Sequence, residues 1–214
     1  MKKIVLITML VGTSFGATAA PYAGLEYGFG MTDHDGQSQF KKTSSIKLDP
    51  SNSDGLFTGF IGYTVNPQWA IELNYSQFDL EDDHSRFIKY NSATQVKTEE
   101  EWDAHVKAKQ FTLAPVYTHA ITDKWVTKFK AGISYTQYDI DGAHYLENEN
   151  QISDMEITKP KENYSSSSNK LGGMLSVGTE YEIYPQLALS INAKYQFDSF
   201  ASTASLNIGS AYYF

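Results

Sequence analysis

The chain has 214 residues, 25 acidic against 17 basic side chains, a formal charge of −8 and no cysteine. That balance, with no basic stripe, excludes nucleic-acid binding through phosphate contacts, and the lack of thiols excludes a disulfide framework, a thiolate metal site and a cysteine nucleophile. The mean hydropathy of −0.39 with 15 Tyr, 12 Phe and 3 Trp leaves one membrane-competent architecture, a closed β-barrel, in which half of every strand faces a polar lumen.

The first nineteen residues read as a secretory signal. Met1-Lys2-Lys3 is a basic head, Ile4 to Phe15 an apolar run too short to span a bilayer as a helix, and Ala17-Thr18-Ala19 a small-residue end. Cleavage after Ala19 leaves residues 20–214 as one domain. From Tyr22 the chain alternates with period two: Tyr22, Gly24, Glu26, Gly28 and Gly30 on one face, and Ala23, Leu25, Tyr27, Phe29 and Met31 on the other. The same split predicts strands near 56–65, 68–80, 106–119, 125–138, 171–183, 186–197 and 203–214. Short turns fall near Asn66, Asp123, Tyr184 and Asp198 to Ser202, and long polar connections at about 32–55, 81–105 and 139–170. Short turns on one rim and long loops on the other form the pattern of an all-β, eight-stranded antiparallel up-and-down transmembrane barrel.

Which face meets lipid follows from composition. One face is rich in Gly, Ala and Ser, as a narrow lumen requires. The other carries rings near the strand ends, as membrane interfaces favour. A soluble barrel or sandwich would reverse the two. Phe60 and Phe78 fall on the lumen face by the same count.

Four segments carry a resemblance. Gly62-Tyr63-Thr64-Val65-Asn66-Pro67 with Glu72 and Tyr75 resembles the second and third strands of the OmpA transmembrane domain, and Ala120-Ile121-Thr122-Asp123 its second periplasmic turn. Gly178-Thr179-Glu180-Tyr181, Ile183 and Pro185-Gln186-Leu187-Ala188 resemble its sixth and seventh strands. Ser205 to Phe214 resembles the last strand and its aromatic end. The resemblance implies an eight-stranded barrel of the OmpA, OmpX and Ail kind in the outer membrane of a Gram-negative bacterium. It implies outer-membrane lipid, lipopolysaccharide and the barrel-assembly machinery as partners, the last reading Phe214. One departure stands out: OmpA proper continues into a periplasmic peptidoglycan-binding domain, whereas this chain is read as the barrel only, and no cofactor is expected.

Inside such a barrel, Glu26, Glu72, Lys128, Lys130, Glu180 and Lys194 should form an ion-pair network, with Lys194 higher than the rest. In the resembled family the glutamate matching Glu72 belongs to an ion-pair gate, but the partner positions here hold Val116 and Ser190, so Lys130 or Lys194 is the expected partner. The network reads as a plug, with a gated conductance as the alternative. The clusters Glu81-Asp82-Asp83 and Glu99-Glu100-Glu101 read as solvated faces, with divalent bridging to lipopolysaccharide phosphates as the alternative. No metal centre is assigned. His34, His84, His105 and His144 lie on loops or rims, but no paired nucleophile and base emerges, so the chain is not read as an enzyme. The loop rings Phe87, Tyr90, Trp102, Tyr145 and Tyr164 are the candidate binding anchors, with extra hairpin expected around Arg86 to Tyr90 and Gln95 to Lys97. The resulting function is adhesion or colonisation through a host surface or matrix ligand. The alternative is a structural barrel without a partner.

Overall fold

The computed structural model describes residues 20–34, 40, 48–52 and 55–214. The predicted signal segment 1–19 and parts of the first connection lie outside the described residues. The strands are β1 (Pro21–His34), β2 (Ser51–Asn52), β3 (Leu56–Asn66), β4 (Trp69–Asn91), β5 (Val96–Ala120), β6 (Trp125–Asn150), β7 (Met155–Tyr184), β8 (Leu187–Asp198) and β9 (Ala201–Tyr213). All but β2 pair with sequence neighbours, β1 pairs with β9, and an eight-stranded antiparallel ring results. The short β2 adds only to β4, at Leu80 and Glu81.

Closure leaves no free edge within the bilayer, where an unpaired amide has no water to bond. The sidedness follows the predicted faces. Phe29 is 72% exposed and Leu206 66%, while Glu72 is 1% exposed, which excludes a soluble barrel. Phe60 and Phe78 point into the lumen, as their parity requires. On β6 the lipid-facing set runs from Trp125 to Tyr135 and ends at Gln137, roughly the ten residues that cross a bilayer as a tilted strand. Rings pair at both margins. Trp69 lies 5.1 Å from Tyr117 and Trp125 5.0 Å from Tyr181 on one rim, and Tyr75 lies 5.0 Å from Phe111 on the other.

The second and third connections go well beyond the short extra hairpin expected around Arg86 to Tyr90 and Gln95 to Lys97. Residues 81–105 and 139–170 are not loops. The strands run through them, and four-residue turns remain at 92–95 and 151–154. Both turns use one device. Asn91 Oδ1 accepts the amides of Ala93 and Thr94, Asn150 Oδ1 accepts those of Ile152 and Ser153, and each turn closes on a left-handed residue, Gln95 at φ 53° and Asp154 at φ 49°. The period-two signal persists there in a different alphabet. Thr98, Glu100, Trp102 and Ala104 face inward, against Lys97, Glu99, Glu101 and Asp103 outward. Above the membrane the outer face meets water, so apolar residues no longer mark it. The upper parts of β4 to β7 thus form a four-stranded blade. β3 stops at the Phe57–Gln77 pair and β8 at the Gly172–Asp198 pair, and the blade rises above both.

Candidate functional site: lumen plug and extracellular blade

The lumen is filled in layers. At the periplasmic end Tyr22, Phe60, Ala70, Val116 and Ala211 pack together with Tyr213 against them. Tyr22 fits because its neighbour across the strand pair is Gly62, where a Cβ would fall 2.2 Å from the Tyr22 ring. Lys128 Nζ sits 5.3 Å from the centroids of both Tyr22 and Tyr213 and donates to Glu180 Oε2 at 2.8 Å and Tyr213 Oη at 2.6 Å. That arrangement satisfies the ammonium with rings on two sides and oxygen on the others.

The second charge cluster lies above it. Lys130 Nζ is 2.7 Å from Glu72 Oε2 and 3.6 Å from Glu26 Oε1, and Lys194 Nζ is 3.1 Å from Glu26 Oε2. Tyr22 donates to Glu72 at 2.9 Å, Asn192 to Glu26 at 3.1 Å, and Lys194 to Thr58 at 3.2 Å. Two acids face two bases, so no buried charge is left alone. The partner of Glu72 is Lys130, not Lys194. Lys194 reaches down to Glu26, in the same layer. The sequence reading did not single out Tyr22, Tyr213, Asn192 or Thr58 as members. Their inward parity was visible, but partnership depends on which strands face each other across the lumen.

Above the charges come hydrogen-bonded side chains: Thr58 with Ser76, Gln110 with Thr136 and Gln196, and Asn207 with Asn192. An apolar ceiling of Leu56, Phe78, Leu80, Val106, Ala108, Tyr138 and Ala201 closes the stack, with Ile140 and Phe200 against it. The cavity between the two charge clusters measures about 20 Å³, room for about one water. Chemically the arrangement is a septum with rings below and aliphatics above a neutralised polar core.

The blade has its own interior. Glu100, on the inward face of β5, accepts hydrogen bonds from Arg86 on β4, from His144 Nε2 on β6 at 2.9 Å and from Lys161 Nζ on β7 at 2.7 Å. Burial works against its ionised form. The bonds from Lys161, Arg86 and His144 outweigh burial and hold the carboxyl at about 2. Next to it Trp102 is fully buried, stacked 4.7 Å from the His144 ring, with the Arg86 guanidinium 5.3 Å from its centroid. Phe40, Leu48 and Ala104 complete this cluster and Tyr164 packs on it. Asp82 accepts the Asp49 amide at 2.7 Å, so the described part of the first connection is tied across the inward face.

This corrects the expectation for Trp102. It is a core residue of the blade rather than an exposed anchor, because the first connection covers the face on which it lies. Tyr164 and Tyr145 are half-buried, while Phe87 and Tyr90 are exposed. Of the histidines, His144 belongs to the Glu100 cluster, and His34 Nε2 lies 2.7 Å from the carbonyl of Pro50.

The outer face of the blade is acidic. Asp83 is paired across strands with Asp103, Glu99 with Glu147, and Glu149 with Glu156. Carboxylate oxygens of Glu99, Glu101 and Glu147 lie within 4.8 Å of one another. Burial and then the surrounding Glu101, Glu156, Glu149 and Glu99 push the Glu147 carboxyl up. Lys97 is 2.6 Å from Glu99, and His105 is 3.3 Å from Glu81. The run Glu81-Asp82-Asp83 does not converge, since Asp82 faces the first connection while its neighbours share the outer face.

The family model for the outer membrane protein β-barrel domain matches residues 4–214. No curated protein sequence matches the chain. Among solved structures, Neisserial surface protein A is similar, at 10% identity and a TM-score of 0.53 over 92% of this chain and 99% of that one. Ail, the attachment invasion locus protein of Yersinia pestis, solved with the heparin analogue sucrose octasulfate, gives 13% identity and a TM-score of 0.49 over 92% and 99%. OprG of Pseudomonas aeruginosa gives 11% and 0.49 over 92% and 96%. With ring closure, sidedness and girdles already in place, the match over nearly the whole chain assigns it: the chain belongs to the outer membrane protein β-barrel domain family and resides in the outer membrane of a Gram-negative bacterium.

Proposed function

We propose that this protein is a surface-recognition barrel: a closed membrane anchor that holds a rigid blade outside the cell for adhesion to, or colonisation of, a host surface or matrix. The observation that carries this reading is the continuous pairing of β4 to β7 up to the turns at 92–95 and 151–154. A scaffold ordered that far from the membrane loses little entropy when it binds. The filled lumen favours an anchor over a gated channel, and the lumen charges then serve closure. The reading is non-catalytic: His144 is engaged by Glu100, and Ser165 to Ser168 lie along β7 with no base assigned to them. Outer-membrane lipid and lipopolysaccharide are the partners proposed for the barrel wall. Phe214, exposed beside Tyr212, is the residue proposed to meet the assembly machinery.

The test is adherence of intact cells expressing the wild type against a variant in which residues 82–104 and 142–169 are each replaced by a four-residue turn. Loss of adherence with an unchanged amount of heat-modifiable barrel in the membrane supports the reading. Equal adherence favours a structural barrel without a partner.

A further inference from the structure

One side of the blade is an open sheet edge. β7 pairs with β8 only up to the Gly172–Asp198 pair, whereas its pairing with β6 runs on to Met155. Above Gly172 the other side of β7 has no partner strand among the described residues. The direction of its backbone groups follows from the ladder. Glu182 donates its amide to Lys124 at the foot of β6, and the β6–β7 register is unbroken from Tyr181 to Glu162. Consecutive residues of an antiparallel ladder turn their amides to opposite sides, so the even-numbered residues bond to β6. The odd-numbered ones turn away. Asn163, Ser165, Ser167 and Asn169, all exposed, direct their N–H and C=O groups at water.

An exposed edge is a template for pairing, and natural sheets blunt it with lysine, proline and bulges. β7 carries all three higher up, at Lys159-Pro160-Lys161 and in the register shift opposite His144 and Tyr145. The run from Asn163 to Asn169 carries none of them. It consists of Asn, Tyr and Ser, without charge or proline. The edge is guarded above and unguarded below.

The outer face beside this run is acidic. Asp139 and Asp141 of β6 stand opposite Ser167 and Ser165. Asp139 is engaged by Lys109 at 3.6 Å. Asp141 lines a shallow depression of about 470 Å³ with Asp103, His105, Asn163 and Ser165. A strand added to β7 would lie about 10 Å from β6, two strand spacings away. Serine is short, so an extended lysine or arginine on the added strand, opposite Ser165, reaches over it to the Asp141 carboxylate. A second copy on a facing cell does not fit. Two copies aligned at Ser165 would carry each tip, about 33 Å further along β7 at Met155, past the other's girdle level at Leu171, only about 20 Å from Ser165.

We infer that the Asn163–Asn169 edge of β7 binds an extended polypeptide as an added strand, one with basic side chains at alternate positions. This rests on the surface-recognition reading and names the chemistry of its partner. Main-chain hydrogen bonds hold the peptide, and its alternation sets the basic groups over Ser165 and Ser167, beside Asp141.

The test uses the full chain in nanodiscs and a fluorescent peptide of alternating threonine and lysine. Saturable binding by anisotropy is expected, with slowed amide exchange at Ser165 and Ser167. The same peptide N-methylated at its lysines, or carrying glutamate in their place, should not bind. Ser165→Pro/Ser167→Pro removes two edge donors and no β6–β7 hydrogen bond, so the barrel should keep its heat-modified gel shift while binding weakens by at least about tenfold. Asp141→Asn should weaken binding severalfold and reduce its salt dependence. The inference is overturned if the parent peptide does not bind, if the N-methylated peptide binds equally well, if exchange at Ser165 and Ser167 is unchanged, or if either variant binds like the wild type. The chain has no cysteine, so a disulfide formed between copies carrying Ser167→Cys, without peptide, would assign the edge to a second copy and also overturn it. Adherence to epithelial cells that requires the blade but survives the double proline variant would sink this inference and leave the recognition reading standing.

Discussion

Lys130→Met is the most demanding perturbation of the lumen. Lys130 Nζ lies 2.7 Å from Glu72 and 3.6 Å from Glu26. At an effective dielectric of about 20 those separations correspond to gross attractions of about 6 and about 5 kcal/mol. Most of that offsets desolvation already incurred, so the attraction itself is not what is lost. The loss arises because Glu72, 1% exposed, keeps only the Tyr22 hydroxyl as donor, and the layer holds the Glu26 and Glu72 carboxylates against the Lys194 ammonium. Breaking a buried pair from one side costs about 3–5 kcal/mol. The double variant Lys130→Met/Glu72→Gln leaves Glu26 with Lys194, and it should recover to within about 1 kcal/mol of the wild type. The assay is urea unfolding of the barrel in lipid vesicles, followed by tryptophan emission and gel mobility. Lys128→Met is the internal comparison. Lys128 and Glu180 border the larger cavity at the periplasmic mouth, where water can replace the lost partner, so about 1–2 kcal/mol is expected. A loss below about 1 kcal/mol for Lys130→Met, or a double variant no better than the single, would refute the claim that this layer is sealed from bulk water and charge-balanced.

Three further outcomes concern the blade. Trp102→Ala should cost it about 3–5 kcal/mol, seen as rapid proteolytic nicking within 81–105 while the barrel keeps its heat-modified gel shift. Because the folded Glu100 carboxyl titrates at about 2, below the ordinary carboxylate range, its contribution is complete above about pH 4.5 and is lost as pH falls toward 2. The near-ultraviolet dichroism assigned to Trp102 should follow that loss, and Glu100→Gln should flatten it. On the outer face the sign is opposite to that of an ion pair. Screening the Asp83–Asp103, Glu99–Glu147 and Glu149–Glu156 repulsions should stabilise the blade as salt rises, by a few tenths of a kcal/mol for each pair, measured by protection of the hairpin amides from exchange.

The barrel was legible because lipid writes on the sequence. Wherever one face meets acyl chains, Leu25, Phe29, Ile133 and Leu206 mark it, and Gly, Ala and Ser mark the other. The membership of Glu26, Glu72 and Lys130 in the lumen followed from parity alone. Which lysine meets Glu72 did not. That depends on how β4 and β6, separated by β5 in the ring, project across the lumen, where Glu72 meets Ala114 and Lys130 meets Val116. The blade was legible only as a short extra hairpin around Arg86 to Tyr90 and Gln95 to Lys97, and its full extent was hidden for the converse reason. With water on its outer face, charged residues took the positions that apolar ones hold below, and a strand of alternating Thr, Glu, Trp and Ala against Lys, Glu and Asp reads as a polar loop. Trp102 was misplaced because its cover, Phe40 and Leu48, comes from a segment sixty residues away.

The blade also bears on the choice between an anchor and a merely structural barrel. Membrane closure needs no strand above Leu80, Val106 or Gly172, because the ceiling already seals the lumen and the girdles already meet both interfaces. Extending four strands beyond that level exposes sheet edges to water and sets like charges opposite one another, each such pair costing about 0.2–1 kcal/mol. The Glu100 cluster and the buried Trp102 offset that cost, so the extension has a dedicated core of its own. A core that keeps an otherwise unfavourable sheet rigid stabilises neither the bilayer nor the barrel. Its physical effect is to hold the two turns at 92–95 and 151–154 in a fixed relation, far from the membrane. On the proposed recognition reading, a contact on the blade would form without first ordering the chain that makes it.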